Sequence, residues 1–172
     1  MTSADLLVDG YGRVRTAVHG ACSGLGVDAL AYRVDPDANS IAWLVWHLTR
    51  VQDDHVADAA NTEQVWTSGG WSKQFGLPLP EATTGYGHRS DDVAAVRVQS
   101  ADLLTGYHDA VNEQTTAYVR GLSDDDLARI IDEAWDPPVS LGVRLVSVIA
   151  DGLQHAGQAA YVRGILQRAG KA

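Results

Sequence analysis

Asp151 and His155 stand four residues apart in Asp-Gly-Leu-Gln-His, and His47 sits inside the apolar run Ile-Ala-Trp-Leu-Val-Trp-His-Leu. Positions four apart on a helix project from one face, a turn apart. A carboxylate and an imidazole so placed can chelate one cation, and an imidazole from a neighbouring helix supplies a third donor. Three protein ligands leave a coordination position open, which separates catalytic metal sites from closed structural ones. Acid–histidine pairs at this spacing are also common on solvated helix faces, so spacing alone does not decide. Context does more. At about 100° per residue, Asp151 and His155 share a face with Arg144, Val148, Ala159 and Val162, and His47 shares one with Trp43, Leu44, Val51 and Asp54. Titratable groups bordering apolar stripes on two helices need a partner, and a metal ion is one way to satisfy them.

The elements that must carry these residues are helices. No alternation typical of strands persists, and helical periodicity dominates. A first helix is expected from about Ser3 to Gly24, with Leu6, Leu7, Tyr11, Val14, Val18 and Cys22 on one stripe. Asp35 to Ser40 forms a turn ending in good cap residues, and a second helix, Ile41 to Ala60, carries His47. A third begins after Ser90, with Asp91 and Asp92 near its positive end, and runs to Gly121. Ser123-Asp124-Asp125-Asp126 opens a short helix ending near Ile131. Asp136-Pro137-Pro138 breaks the chain, and the last helix spans Leu141 to about Ala169. The expected architecture is an all-α, four-helix antiparallel bundle, a single domain over residues 1–172.

Residues 61–89 are the exception. They form a long crossover between the second and third helices, rich in glycine and large side chains: Trp66, Trp71, Phe75 and Gly85-Tyr86-Gly87-His88. Connections of this length in a compact domain are usually functional or disordered. The aromatic residues favour an ordered flap packed on the bundle, and its length favours a site-covering role over a plain crossover at a bundle end.

Composition excludes several classes. The formal net charge of −9 and the lack of any basic run argue against a nucleic-acid groove. No apolar run approaches the roughly 20 residues needed to span a bilayer. Residues 1–10 lack the basic start and apolar centre of a signal peptide, so a cytoplasmic location is expected. Cys22 is the only cysteine, which removes an internal disulfide or a Cys-x-x-Cys site. His19 precedes it by three residues, but a lone cysteine on an apolar face reads first as a small buried hydrophobe. No glycine-rich phosphate loop follows a strand.

The pattern Trp-Leu-Val-Trp-His-Leu in the second helix, with Asp151-x-x-x-His155-Ala156-Gly157-Gln158 in the last, resembles the DinB/YfiT-like superfamily of metal-dependent helical bundles. Many of its members carry His-x-x-x-His-Arg-Gly-Gln in the last helix. A carboxylate at the first of those positions is a feature of its thiol-dependent branch, and the chain as a whole is most similar to the actinobacterial mycothiol S-transferases. The resemblance implies a divalent metal on His47, Asp151 and His155, zinc foremost, with iron, nickel or manganese also suited to such a donor set. It further implies mycothiol, a cysteine-bearing pseudodisaccharide, as the thiol cosubstrate, and conjugation of electrophilic small molecules as a detoxification.

Around that site, Asp54 lies about two turns from His47 and is the candidate proton acceptor, or a group that orients a ligand. Arg144 is a candidate to hold a carboxylate of the thiol cosubstrate, its plainer reading being a surface arginine near the helix start. Trp43, Trp46 or Trp71 could wall an apolar pocket for the electrophile, though any one of them reads first as a core side chain. His19, His55 and His108 have no matching partner and fall outside the expected site. The tryptophan and tyrosine count points to exposed apolar faces and a homodimer. A thiol-dependent isomerase, a metal-assisted hydrolase and a non-catalytic metal- or ligand-binding protein remain open on the same scaffold.

Overall fold

The computed structural model describes residues 1–171. Four long helices carry it: α1 (Ser3–Cys22), α3 (Ile41–Ala60), α7 (Ala101–Arg120) and α9 (Leu141–Arg168). Short helices α2 (Val27–Leu30), α4 (Val65–Ser68), α5 (Trp71–Phe75), α6 (Ser90–Ala95) and α8 (Asp124–Ala128) lie between them, with strands β1 (Ile130–Asp132) and β2 (Val139–Ser140) just before α9. α1 packs on α7 and α9, and α3 packs on the same two helices, so the four close into a bundle. None of the described helices is long and apolar enough to cross a membrane.

Local chemistry sets the long helices. Thr2 and Asp5 cap α1 reciprocally, the Thr2 hydroxyl accepting from the Asp5 N–H at 3.1 Å and the Asp5 carboxylate from the Thr2 N–H at 2.8 Å. Ser40, Ser100 and Ser140 cap α3, α7 and α9 one way only, each hydroxyl accepting from the N–H three residues on. Asn61 ends α3 in the left-handed conformation at φ 52°, which asparagine tolerates better than most residues.

Three boundaries differ from the sequence reading. α1 stops at Cys22, because Gly24 turns to φ +72°. The third long helix is two elements, since Val96 leaves helical geometry and Ser100 restarts the chain by capping α7; buried Val96 and Val98 fix the break. The short helix after Ser123 ends at Ala128, and the chain enters an antiparallel pair, Ile130 opposite Ser140 and Asp132 opposite Val139. Periodicity misses this hairpin because its strands are three and two residues long.

The crossover is ordered by a buried polar knot. Asp53, only 2% exposed, accepts hydrogen bonds from the Val65 N–H, the Trp66 N–H and the Tyr107 hydroxyl, each at 2.8 Å. Arg50, 1% exposed, donates to the Gln64 side chain at 2.7 Å and to the Thr83 carbonyl at 3.2 Å. Its guanidinium lies over the Trp66 ring, 4.9 Å from the centroid. Asp53 is thus a fully buried anchor, not the solvated neighbour of Asp54 that an Asp-Asp pair on a helix would imply.

Candidate metal centre

α3 and α9 bring the three candidate ligands together. One donor atom from each of His47, Asp151 and His155 lies within 4.8 Å of the others. His47 is buried at 6% exposure and its ring stacks on Trp43 at 4.5 Å between centroids. The His155 ring meets His47 edge-on at 4.9 Å.

The crossover fixes the tautomer of His47. Its Nδ1 lies 2.6 Å from the Thr84 carbonyl oxygen, which can only accept, so Nδ1 carries the proton and Nε2 offers its lone pair. Gly85, at φ +94°, makes this approach feasible: a Cβ there would stand 2.7 Å from His47 Nδ1 and 3.0 Å from the Trp46 ring. His88 pins the same strap. Its Nδ1 accepts from Trp43 Nε1 at 3.1 Å, its Nε2 lies 3.0 Å from the Thr83 hydroxyl, and its ring stacks on Trp46.

On α9, His155 Nδ1 lies 3.2 Å from the Gln158 side-chain oxygen, which turns Nε2 toward Asp151 Oδ1 at 3.4 Å. Asp151 Oδ2 is buried and has no hydrogen-bond partner among the described residues. A buried, unpartnered carboxylate oxygen beside two imidazole nitrogens is costly unless a cation completes it. The donor set therefore fits a divalent metal. Burial holds the proton affinity of His47 below the ordinary value, whereas the neighbouring Asp151 carboxylate raises that of His155.

A cavity of about 700 Å³ opens beside the triad, with His47 and Asp151 in its lining. Asp54 and Arg144 also line it. Asp54 accepts from the Gln64 amide at 2.8 Å through Oδ1. Arg144 donates to Asp132 at 2.7 Å and to His55 Nδ1 at 3.1 Å, so its charge is already compensated and it offers no free cation for a carboxylate. Trp43, Trp46 and Trp71 do not line this cavity: Trp43 packs behind His47, Trp46 under His88, and Trp71 against Tyr107. The aromatic side chains at the mouth are Tyr86 and Trp135, 91% and 66% exposed.

His55, which falls outside the expected site, lines the cavity, as do Asp132, Trp135 and Ser147. For His55 a signal is present, since it follows His47 by two helical turns. For Asp132 and Trp135 there is none, because they sit in an irregular hairpin with no period to read.

The family profile of mycothiol S-transferases matches residues 7–168. The chain belongs to this family. A crystal structure described as a conserved protein from Enterococcus faecalis is similar to it, with a TM-score of 0.89 and 31% identity over 95% of this chain and 96% of that one. No curated protein matches. In this member of the mycothiol S-transferase family, the histidine–aspartate–histidine ligand candidates lie at an open cavity.

Proposed function

We propose that this protein conjugates mycothiol to electrophilic small molecules with a divalent metal, zinc foremost, held by His47, Asp151 and His155. The observation that carries the reading is the buried Asp151 oxygen left unpartnered beside two imidazoles in a family of thiol transferases. A bound divalent cation would supply the acidity that keeps a thiol ionised at neutral pH, where a free thiol near pKa 8.5 is mostly protonated.

The chain's own groups do the rest. The Thr84 carbonyl and the Gln158 side chain hold the two imidazoles with their Nε2 lone pairs toward the site. Asp54, about two turns along α3 from His47 and tied to Gln64 through Oδ1, lines the same cavity and receives the thiol proton by way of cavity water before it passes to solvent. The sulfur forms a bond to the electrophilic carbon as the leaving group departs with its electron pair. For a strained ring or conjugated alkene, the displaced electron pair takes up a proton instead. Cys22 takes no part: it is buried, and burial pushes its thiol up to about 12.

The test is transfer from mycothiol to a fluorogenic alkylating agent, with and without a chelator. Chelation should collapse the rate at pH 7 and matter far less at pH 9, where free thiolate is abundant. Equal loss at both pH values would remove thiol activation as the metal's role. Turnover of an ester without any thiol would favour a hydrolase instead. We also propose a homodimer through the outward stripe of α9, where Val146, Leu153 and Tyr161 are each more than 40% exposed. A monomer mass by light scattering at micromolar concentration would dismiss it.

A further inference from the structure

The far wall of the cavity is built differently from the triad. Arg144 is held between Asp132 at 2.7 Å and His55 Nδ1 at 3.1 Å, with Arg144 and Asp132 side chains 17% and 27% exposed. A guanidinium only donates, so His55 Nδ1 must accept, and the neutral imidazole carries its proton on Nε2. Protonation of Nδ1 would set two N–H groups against each other beside a fixed cation. Burial and Arg144 both act to keep this ring neutral, against Asp54, Asp151 and Asp58. His55 lines the cavity, and its Nε2 has no hydrogen-bond partner among the described residues and is not sealed from solvent. With Nδ1 held by Arg144, Nε2–H is the ring's one free donor on a residue that lines the cavity.

The charge of the lining narrows the occupant. Its ionisable residues are three aspartates (Asp54, Asp132 and Asp151) and one arginine, a formal charge of −2 with the histidines neutral. A divalent ion on the triad brings that to zero and leaves no surplus positive charge. A carboxylate or phosphate placed here would meet Asp132 and Asp54 with no free cation to offset them. Hydroxyl groups suit the same wall: carboxylate oxygens accept from them, while His55 Nε2–H donates to them. The Ser147 hydroxyl, which gives its proton to the Val143 carbonyl at 2.9 Å, adds an acceptor. Trp135 offers a broad exposed face at the mouth.

Distance assigns which substrate this is. His55 follows His47 by eight residues on α3, and Arg144 precedes Asp151 by seven on α9, so the wall lies about two turns, roughly 10–12 Å, along both helices from the triad. A thiol whose sulfur sits at the triad needs a body of that reach.

We infer that the Arg144–Asp132–His55 wall, with Trp135, is the specificity site for the uncharged, hydroxyl-rich body of the thiol cosubstrate, and that it rejects thiols bearing carboxylates. The assignment rests on the proposed thiol transfer and names the groups that select the thiol. His55 and Trp135 are specificity residues, not groups that touch the reacting sulfur.

The experiment pairs kinetics with binding. Kinetic measurements compare mycothiol with N-acetylcysteinamide, a neutral thiol lacking the sugars, in wild type, His55→Leu, His55→Gln and Trp135→Ala. His55→Leu and Trp135→Ala should each raise KM for mycothiol tenfold or more and leave kcat/KM for the truncated thiol within twofold. His55→Gln, which restores an N–H near the Nε2 position, should recover most of the loss. Glutathione, with two carboxylates, should be a poor substrate throughout. In parallel, S-methylated mycothiol is titrated calorimetrically into chelator-treated protein, a readout independent of turnover; either loss variant should weaken this binding about tenfold. If transfer occurs but both thiols respond equally, the wall assignment is overturned and the transferase reading stands. If no thiol is transferred, the transferase reading falls and the titration decides: weakened binding in the variants upholds the wall, and no binding to wild type overturns it.

Discussion

Asp53 and Asp151 are both aspartates on long bundle helices, and the structure treats them in opposite ways. Asp53 receives three hydrogen bonds at 2.8 Å and lies 3.7 Å from Arg50, so every polar edge is matched. Asp151 touches His155 at 3.4 Å through one oxygen and leaves the other buried and unmatched. The first carboxylate is part of how the crossover folds onto α3 and α7. The second is left incomplete by the protein's own groups, as the donor atoms of the proposed cation site would be. Burial of a carboxylate therefore does not by itself mark function; its unpaired oxygen does.

This contrast breaks most readily by removing each carboxylate in turn. Asp53→Ala strands two backbone N–H groups, the Tyr107 hydroxyl and the Arg50 charge, and should cost about 3–5 kcal/mol in denaturant unfolding. Asp151→Ala should leave metal-free stability within about 1 kcal/mol, since it removes an unmatched group. Adding metal at a hundredfold excess over Kd should then stabilise wild type by about 2.7 kcal/mol and the Asp151 variant not at all. If the two variants lose the same stability without metal, Asp151 is a structural residue and the contrast is gone.

His108 tests the rule from the other side. Its Nε2 is also buried without a partner, yet nothing about it marks a ligand site. Thr49 donates its hydroxyl proton to the Val45 carbonyl, so His108 Nδ1 donates to Thr49 at 3.2 Å and Nε2 is a bare acceptor. A neutral imidazole tolerates that far better than a carboxylate does. Burial pushes its pKa down to about 4, with Asp109 opposing and His19 and Arg15 assisting. The unfolded chain takes up this proton near pH 6.5 and the folded one does not until about pH 4. Stability from this group is thus complete above pH 6.5 and lost as pH falls toward 4, by roughly 3 kcal/mol. His108→Leu should flatten the unfolding free energy over that window relative to wild type. An unchanged slope would mean the imidazole is charged in the fold.

How much of this is readable from sequence follows from where each group sits. His47, Asp151 and His155 lie on long periodic helices, so spacing and the apolar context place them on facing sides, and α9 ends within a residue of its expected boundary. The groups fixed by non-periodic backbone are not readable. The Thr84 carbonyl carries no side-chain signature at all. Asp132 and Trp135 depend on a hairpin too short to show alternation. Asp53 reads like Asp54 because a helix alone cannot say which of two adjacent aspartates meets the crossover. Arg144 falls on the correct face, but its pairing with Asp132 depends on that same unread hairpin.

The strap itself gives a smaller effect that separates positioning from folding. Gly85→Ala would drive a Cβ into His47 Nδ1 and force an alanine to φ +94°. The strain should cost about 1–2 kcal/mol and move the Thr84 carbonyl off His47. Loss of an outer hydrogen bond to a metal-binding imidazole typically lowers metal affinity about 10–100-fold, measurable by chelator competition. Destabilisation with unchanged metal affinity would show that the strap only packs and does not orient His47.

The smallest effect belongs to the one sulfur in the chain that resembles a nucleophile. Cys22 is fully buried in the main core, and its thiol stays protonated across the working pH range because burial pushes it to about 12. The attacking sulfur of the proposed reaction comes instead from a soluble thiol at the triad. Cys22→Ala should therefore cost about 1 kcal/mol of stability as a small core truncation and leave the transfer rate within twofold. The informative result is a Cys22→Ala protein that unfolds normally and binds metal with wild-type affinity but transfers nothing. That outcome would move the nucleophile into the protein, and Asp151 would then hold a cation that serves some other step.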